Sequence, residues 1–355
     1  PDNPSAWLSR VAKNRAIDQL RLKGNQTEAL EDTMLPCTDQ DYLDVFGDDL
    51  MRLIFTCCHP QLSTQDALAM TLKTIVGFSS DAIAKALIMK PKTLEQRIVR
   101  TKRKIAADQI PYETPESKQL ASRLDKVLLV VYLMFNEGYL SFEGDEFVRQ
   151  SLCEEAIKLA RLLVRLQPDS AECVGLLGLL LLHNSRKDAR LDHEKKLMTL
   201  SQQDRRLWQM DTIEEGCMLV EKALSMAPAG KYQLEAAIAA LHCQAKSYED
   251  TDWPQILALY NLLCLRYPTD ITRLNRIIPF RQVYGVDIAW KELQSLADTP
   301  LEQYHLYHVT KGELLLEMGK ISEALSAFKM ALSLSQNLTE KFHISEKINQ
   351  LAVEQ

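Results

Sequence analysis

Residues 63–106 read STQDALAMTLKTIVGFSSDAIAKALIMKPKTLEQRIVRTKRKIA. The pattern predicts three short helices, at residues 64–76, 80–88 and 92–106. Gly77 ends the first, and Pro91, which a helix tolerates only in its first turn, separates the second from the third. In the third helix the apolar positions recur at spacings of four, three and four, which is the stripe of an amphipathic helix. These positions are Leu94, Ile98, Thr101 and Ile105.

The face opposite this stripe is polar and mostly basic. It carries Lys92, Gln96, Arg100 and Arg103, with Arg97 and Lys104 at its flanks. In a helix-turn-helix, one side of the last helix packs on the preceding helices and the other presents donors to base edges and phosphates in the major groove. We therefore favour DNA binding, while a structural helical hairpin with a basic face is the alternative that the pattern leaves open.

Charge is segregated along the chain, although the net charge is −6. Residues 3–23 hold five basic residues and one acid, and residues 90–104 hold seven basic residues and one acid. Between them, residues 26–49 contain eight acids, no Lys or Arg and no helical periodicity, which predicts a flexible acidic linker. The order indicates a polyanion held at two places. Charge alone is equally consistent with two solvated helix faces.

The first basic segment also predicts a helix. Asn3 suits the N-cap and Pro4 the first helical position. One face carries Trp7, Arg10, Asn14, Asp18 and Arg21. An exposed Trp7 beside these groups would stack on unstacked single-stranded bases. Packing of Trp7 on a neighbouring helix is an equally good interpretation.

Two of these segments resemble extracytoplasmic-function (ECF) RNA polymerase sigma factors. NPSAWL at residues 3–8, followed by RVAKNRAIDQLR at residues 10–21, is similar to their region 2.3–2.4. Residues 79–104, with AIA at 82–84 and TLEQRIVR at 93–100, resemble region 4.2, the helix-turn-helix.

Two further signatures are similar to one subgroup, which carries a long tetratricopeptide-like (TPR-like) C-terminal extension. They are LIFTCCHP at residues 53–60 and YLMFNEGY at residues 132–139. The resemblance covers nearly the whole chain and implies an all-α fold: a remnant of sigma region 2, a region 4 helix-turn-helix and a TPR-like helical-repeat domain. The expected divisions are 1–25 for region 2, 26–49 for the linker, 50–112 for region 4, 113–250 for a helical middle domain and 251–355 for the repeats.

The resemblance implies binding to core RNA polymerase and to promoter DNA. Arg10 and Asn14 would contact the −10 strand, and the linker would pass through polymerase channels that otherwise hold nucleic acid. Glu95, Gln96, Arg97 and Arg100 would face the −35 duplex. With neighbouring polar and basic residues added, the candidate DNA-binding residues are Arg10, Lys13, Asn14, Arg21, Lys90, Lys92, Thr93, Glu95, Gln96, Arg97, Arg100 and Arg103.

The sequence departs from the sigma pattern in two ways. Most of region 2, including its main core-binding helices, would precede Pro1, so we expect the natural chain to begin upstream. Many members also place Gly just before the recognition-helix Thr, where this chain has Lys92. That lysine adds a phosphate donor and could change the angle at which the helix starts.

The C-terminal two-thirds predicts degenerate helical repeats. Gly319, Ala324, Phe328 and Ala331 match the tetratricopeptide spacing. Helices are expected to end at Leu166-Gln167-Pro168, Met226-Ala227-Pro228 and Arg266-Tyr267-Pro268, with residues 192–204 as a polar connection. Stacked helix pairs present an extended surface that suits a protein partner. A packed helical domain without a ligand is the alternative.

An enzyme is not favoured, because the sequence has no glycine-rich phosphate loop, no GxSxG and no HExxH. We expect no cofactor and no metal: Cys57 and Cys58 are interpreted as buried thiols, His305 and His308 as packed rings, and Glu137 as part of a helix C-terminus. The apolar runs are too short for a membrane helix, and the cysteine pattern indicates a cytoplasmic protein. The remaining alternative is a TPR-like scaffold whose sigma portion no longer binds promoters.

Overall fold

The computed structural model describes residues 53–78, 80, 83–84, 89–111, 117–140, 146–193, 196–226, 229–335 and 338–353. In these residues every regular element is helical, apart from one isolated antiparallel bridge between Leu191 and Leu197. The prediction of an all-α fold is confirmed. The chain divides into two compact units, one ending with Phe147–Leu166 and the other running from Gln167 onward.

The described part of the first unit contains four helices of eight or more residues. They are α1 (Thr64–Thr71, extended by a π-helical turn, Leu72–Val76), α2 (Pro91–Ala107), α3 (Ser117–Leu140) and α4 (Glu146–Leu166). Residues 53–57 are also helical. The predicted helices at 64–76 and 92–106 are confirmed, whereas only residues 80, 83 and 84 of the predicted helix at 80–88 are described, and these are helical.

Local chemistry explains where α1 and α2 begin and end. The Ser63 hydroxyl accepts a hydrogen bond from the Asp66 backbone N–H at 3.1 Å, which caps α1. Gly77 ends the π-helical turn in the left-handed region, with φ 79°. Pro91 takes the first position of α2 after Lys90, whose backbone is extended. Helix α1 packs against both α2 and α3.

The second unit is a succession of helices that pack mainly against their neighbours in the chain. They are α5 (Ala171–Asn184), α6 (Met210–Ser225), α7 (Lys231–Gln244), α8 (Trp253–Arg266), α9 (Asp270–Tyr284), α10 (Val286–Gln294), α11 (His305–Glu317), α12 (Ile321–Leu334) and α13 (Leu338–Val353). The predicted helix ends before Pro168, Pro228 and Pro268 are confirmed, because α4, α6 and α8 end at Leu166, Ser225 and Arg266.

Helices α5 and α6 are joined by a long irregular connection. The described residues between 185 and 209 contain two short 3-10 turns, Lys187–Ala189 and Arg205–Leu207, and the bridge mentioned above. The described part of the predicted polar connection at 192–204 is accordingly free of α-helix. Close contact between α5 and α6 depends on Gly216, where a Cβ would lie 2.8 Å from Leu182 Cγ.

The pair α11 and α12 forms a tight helical hairpin. Gly319 makes the turn with φ 73°, a region that favours glycine. Ala324, Phe328 and Ala331 are fully buried. The Phe328 ring lies directly on Gly312 of α11, where a Cβ would approach ring carbon Cε1 to 2.7 Å. The predicted tetratricopeptide spacing is therefore realised as a packed helix pair.

Candidate nucleic-acid interface

Helix α2 has one buried face and one exposed face. Leu94, Ile98 and Thr101 are 0%, 7% and 2% exposed, and Ile105 is half-buried. Lys92, Gln96, Arg100 and Arg103 are all exposed on the opposite side, and we call these four residues the basic face. The amphipathic character predicted from spacing is confirmed.

The cations of the basic face are available to a ligand. Within the described part of the chain, Lys92, Arg100 and Arg103 form no ion pair with a carboxylate. Candidate residues Lys90, Thr93 and Glu95 are also exposed around the start of α2. Unpaired Lys and Arg side chains on one helix face are what phosphate binding requires.

Arg97 differs from the other candidate DNA-binding residues. Its Nη1 lies 3.1 Å from Asp66 Oδ1 of α1, and the two side chains are 20% and 18% exposed. This ion pair joins α2 to α1 and orients the basic face. In this structure the Arg97 side chain is therefore held against α1, and Asp66 neutralises its charge.

Further contacts hold the loop before α1. Lys126 Nζ of α3 donates to the backbone oxygens of His59 and Pro60 at 3.2 Å each, and to that of Leu62. Lys104 Nζ donates to Gln61 O at 2.7 Å. Burial, assisted by the nearby cations Arg123 and Lys126, lowers the pKa of His59. Lys104 and Lys126 thus bind α2 and α3 to the same backbone turn at residues 59–62, and these contacts help to hold α2 in place.

Val99 is a residue of this surface that the spacing analysis missed. It is 48% exposed, and at 100° per residue it lies beside Lys92 and Arg103 of the basic face. The signal was present in the sequence, since an apolar residue out of phase with the buried stripe has no core to join. An exposed apolar side chain among cations can contact the methyl group of thymine.

The remaining DNA-binding candidates, Arg10, Lys13, Asn14 and Arg21, lie outside the described residues, as does the acidic linker at 26–49.

The adjacent thiols of Cys57 and Cys58 belong to the buried core of the first unit. Cys57 and Cys58 are 3% and 0% exposed. Burial raises the pKa of Cys57 to about 11 and raises that of Cys58 further above its usual range. Among the described residues no group of three or more His, Cys, Asp or Glu could hold a metal ion. The interpretation of Cys57 and Cys58 as buried thiols is confirmed.

The side chains of Glu137, His305 and His308 also pack against neighbouring parts of the fold. Glu137 lies in the last turn of α3, where burial raises its pKa to about 7. His305 lies 2.9 Å from a carboxylate oxygen of Glu340 and edge-on to the Tyr304 ring. His308 packs edge-on to a tyrosine ring and lies 2.8 Å from a backbone oxygen. The two histidines are packed rings, as predicted.

The helices of the second unit expose several large apolar side chains. Leu265 is 79% exposed, and Ile278, Ile288 and Tyr284 are 48%, 44% and 53% exposed. Single exposed apolar side chains are common on protein surfaces, and a contiguous apolar patch is what marks a binding surface. No helix in the described ranges combines the length and apolarity that a bilayer crossing demands.

Comparison with known proteins identifies the family of the chain. A model described as a family of unknown function (DUF6596) matches residues 123–224, which include most of α3, all of α4 and α5, and all of α6 except its last residue. The uncharacterized protein R00370 of Rhizobium meliloti (strain 1021) is 38% identical over 362 residues, spanning 100% of this chain and 85% of that protein. The chain belongs to the family of this rhizobial protein. Among solved structures, yeast Tom70 matches 98% of this chain and 80% of its own, with 12% identity and a TM-score of 0.39.

Proposed function

We propose that the protein is a bacterial ECF-type sigma factor that binds core RNA polymerase in the cytoplasm and directs it to promoters. In this proposal α2 is the recognition helix of region 4 and reads the −35 element. The segment with Arg10 and Asn14 reads the −10 element, and the acidic linker passes through the polymerase. The helices of the second unit serve regulation or protein interaction.

The observation that carries the proposal is the basic face of α2. Its three cations have no carboxylate partner in the described part, while Arg97 on the flank is ion-paired with Asp66. An unpartnered cationic face on a helix that is held by a second helix supports insertion into the major groove. Gln96 and Arg100 supply the donors and acceptors for base edges, and Val99 supplies an apolar contact for a thymine methyl.

A second candidate function rests on the exposed apolar side chains of α8 to α10. Leu265 alone leaves 79% of its surface in solvent. This favours a protein-interaction scaffold built on the C-terminal helices, in which the sigma portion no longer binds promoters. The two candidates make opposite predictions about DNA.

The experiment uses the full-length natural protein, purified core polymerase and a library of promoter fragments. We expect salt-dependent binding that selects particular −35 sequences. Arg100→Ala and Gln96→Ala each lose about 1–3 kcal/mol of discrimination at the bases they contact. The selected sequences change at those positions.

Lys102→Ala is the matched control. Lys102 is exposed on the same helix but lies about 100° away from the middle of the basic face, so it removes one cation without removing a base contact. It weakens binding uniformly across sequences and leaves the selected sequence unchanged. If the protein binds neither core polymerase nor DNA, or if Lys102→Ala changes selection as much as Arg100→Ala, the proposal is wrong and the scaffold is the better reading.

A further inference from the structure

The connection between α5 and α6 gathers two arginines around one indole ring. The guanidinium carbon of Arg186 lies 5.8 Å from the centroid of Trp208, and that of Arg205 lies 4.3 Å from it. Arg186 and Trp208 are only 7% and 5% exposed. Two positively charged guanidinium groups therefore lie against one largely buried indole ring in the second unit.

Among the described residues, no carboxylate forms an ion pair with either arginine. Arg205 Nη1 donates to the backbone oxygens of His242 and Ala245, at 2.9 and 2.6 Å, at the C-terminal end of α7. Arg186 Nη2 lies 2.9 Å from His183 Nδ1, which offers no formal negative charge. In the described ranges, no Asp or Glu oxygen lies within ion-pair distance of either guanidinium. Burying a charge without a counter-ion is strongly unfavourable.

The carboxylates that act on this cluster do so from a distance. Burial lowers the pKa of Arg205, while Glu249 and Asp250, both exposed, act through space in the opposite direction. Burial and then the two arginines lower the pKa of His242 to about 4, so its imidazole is neutral at physiological pH. Between Arg186 and Arg205 the net charge is therefore positive.

The same cluster contains buried nitrogen atoms without a hydrogen-bond partner. They are Arg186 Nε, Arg205 Nη2, Trp208 Nε1 and His242 Nδ1. Such groups are rare in folded proteins, and several in one place indicate an acceptor that the polypeptide does not supply. The Trp208 ring and the carbonyl oxygens at the end of α7 interact with Arg205. They provide no hydrogen-bond acceptor for Arg186 Nε or Trp208 Nε1. A water molecule would satisfy donors without compensating either charge.

We infer that Arg186, Arg205 and Trp208, with His242, form a binding site for a small oxyanion: a phosphate or sulfate group, free or carried by a small metabolite. An oxyanion presents several acceptor oxygens to the guanidinium and indole donors and neutralises the two charges. Arg205 is partly exposed, so its side of the cluster faces solvent, while the four nitrogen atoms themselves are buried. The site lies in the second unit and goes beyond the promoter-binding proposal.

The test compares anions at equal ionic strength. Full-length protein is titrated with inorganic phosphate, sodium sulfate, glycerol 3-phosphate and, as reference, sodium chloride, and binding is measured by calorimetry and by the midpoint of thermal unfolding. We expect saturable binding of at least one oxyanion and a rise of the unfolding midpoint beyond that in chloride. Tighter binding of glycerol 3-phosphate would identify a phosphorylated metabolite as the source, and equal binding would identify the free ion.

Arg186→Met is the decisive variant because it removes the buried charge and keeps most of the side-chain volume. It should weaken oxyanion binding at least about tenfold and should be no less stable than wild type in chloride. Arg206→Met is the matched control. Arg206 is adjacent in sequence, but its side chain is 90% exposed and pairs with Asp204, so binding is unchanged.

If Arg186→Met does not fold, Arg186→Lys keeps the charge and loses the fork of donors, and it should also bind at least several-fold more weakly. Absence of saturable oxyanion binding by the wild-type protein would overturn the inference. So would equal affinity in wild type and in the folded Arg186 variant.

Discussion

The contact between Gly312 and Phe328 provides a quantitative test of the second unit. In Gly312→Ala the new methyl carbon would lie 2.7–2.9 Å from three atoms of the Phe328 ring. Because that ring is fully buried among Leu315, Ala324 and Ala331, it has little room to move. The steric cost is about 1–3 kcal/mol, and the better helix propensity of alanine returns about 0.5–1 kcal/mol.

Phe328→Leu relieves the same contact. Alone, it removes buried apolar surface and costs about 1–2 kcal/mol in the free energy of unfolding. In the double variant the methyl group of Ala at position 312 occupies space that the Phe328 ring has vacated. The steric cost is then removed, while the better helix propensity of alanine remains. The double variant should therefore be more stable than the sum of the single effects by at least about 1 kcal/mol.

Urea unfolding of the four proteins measures this coupling, and amide hydrogen exchange locates it in α11 and α12. Gly319→Ala is a useful control: it strains a left-handed turn in the same hairpin, with no atom within 4 Å of the new Cβ. It should cost stability without coupling to Phe328→Leu. Additive effects of Gly312→Ala and Phe328→Leu would show that the close approach of α11 and α12 has been wrongly described.

Three further predictions concern single residues or pairs. Asp66→Ala should lower the free energy of unfolding by about 1–2 kcal/mol, and adding Arg97→Met should recover part of this, since no charge is then left without a partner; thermal unfolding that showed a fully additive loss would contradict the role of the pair. Burial raises the pKa of Glu235 from 4.5 to about 7. Between these two pH values the native protein therefore keeps a proton on Glu235 that the unfolded chain has already lost. Stability from this protonated carboxyl is complete below pH 4.5 and is lost as pH rises through 7. Glu235→Gln should therefore match wild type at pH 4 and exceed it by about 3 kcal/mol at pH 8 in urea titrations, and equal stability at both pH values would refute this. Cys57 and Cys58 should react with an alkylating agent at least about 100-fold more slowly in the native protein than in urea, as mass spectrometry of the labelled peptides would show, because burial raises both pKa values and excludes the reagent; comparable native and unfolded rates would place these thiols at the surface.

Local sequence was sufficient for the parts of the fold that depend on periodicity and on helix-breaking residues. The spacing of Leu94, Ile98 and Thr101 predicted both the buried and the exposed face of α2, because a helix repeats every 3.6 residues wherever it packs. Proline likewise predicted the ends of α6 and α8, since it lacks the N–H that a helix interior needs.

Pairing between helices depends on tertiary structure. The charge pattern placed Arg97 beside the DNA-binding cations, but the fold brings Asp66, 31 residues earlier, within 3.1 Å of it. Nothing in the spacing singled out Gly312, which matters only because Phe328 crosses it.

The cluster of Arg186, Arg205 and Trp208 separates most clearly what local sequence determines from what tertiary structure determines. Composition and periodicity established an all-α chain with basic and acidic segments, because these are properties of neighbouring residues. The convergence of Arg186 and Arg205 on Trp208 next to the end of α7 depends on an irregular connection and on the docking of two other helices. An irregular connection has no periodic sequence pattern from which its contacts could be predicted. Only the tertiary structure therefore determines which charged side chains are buried together there.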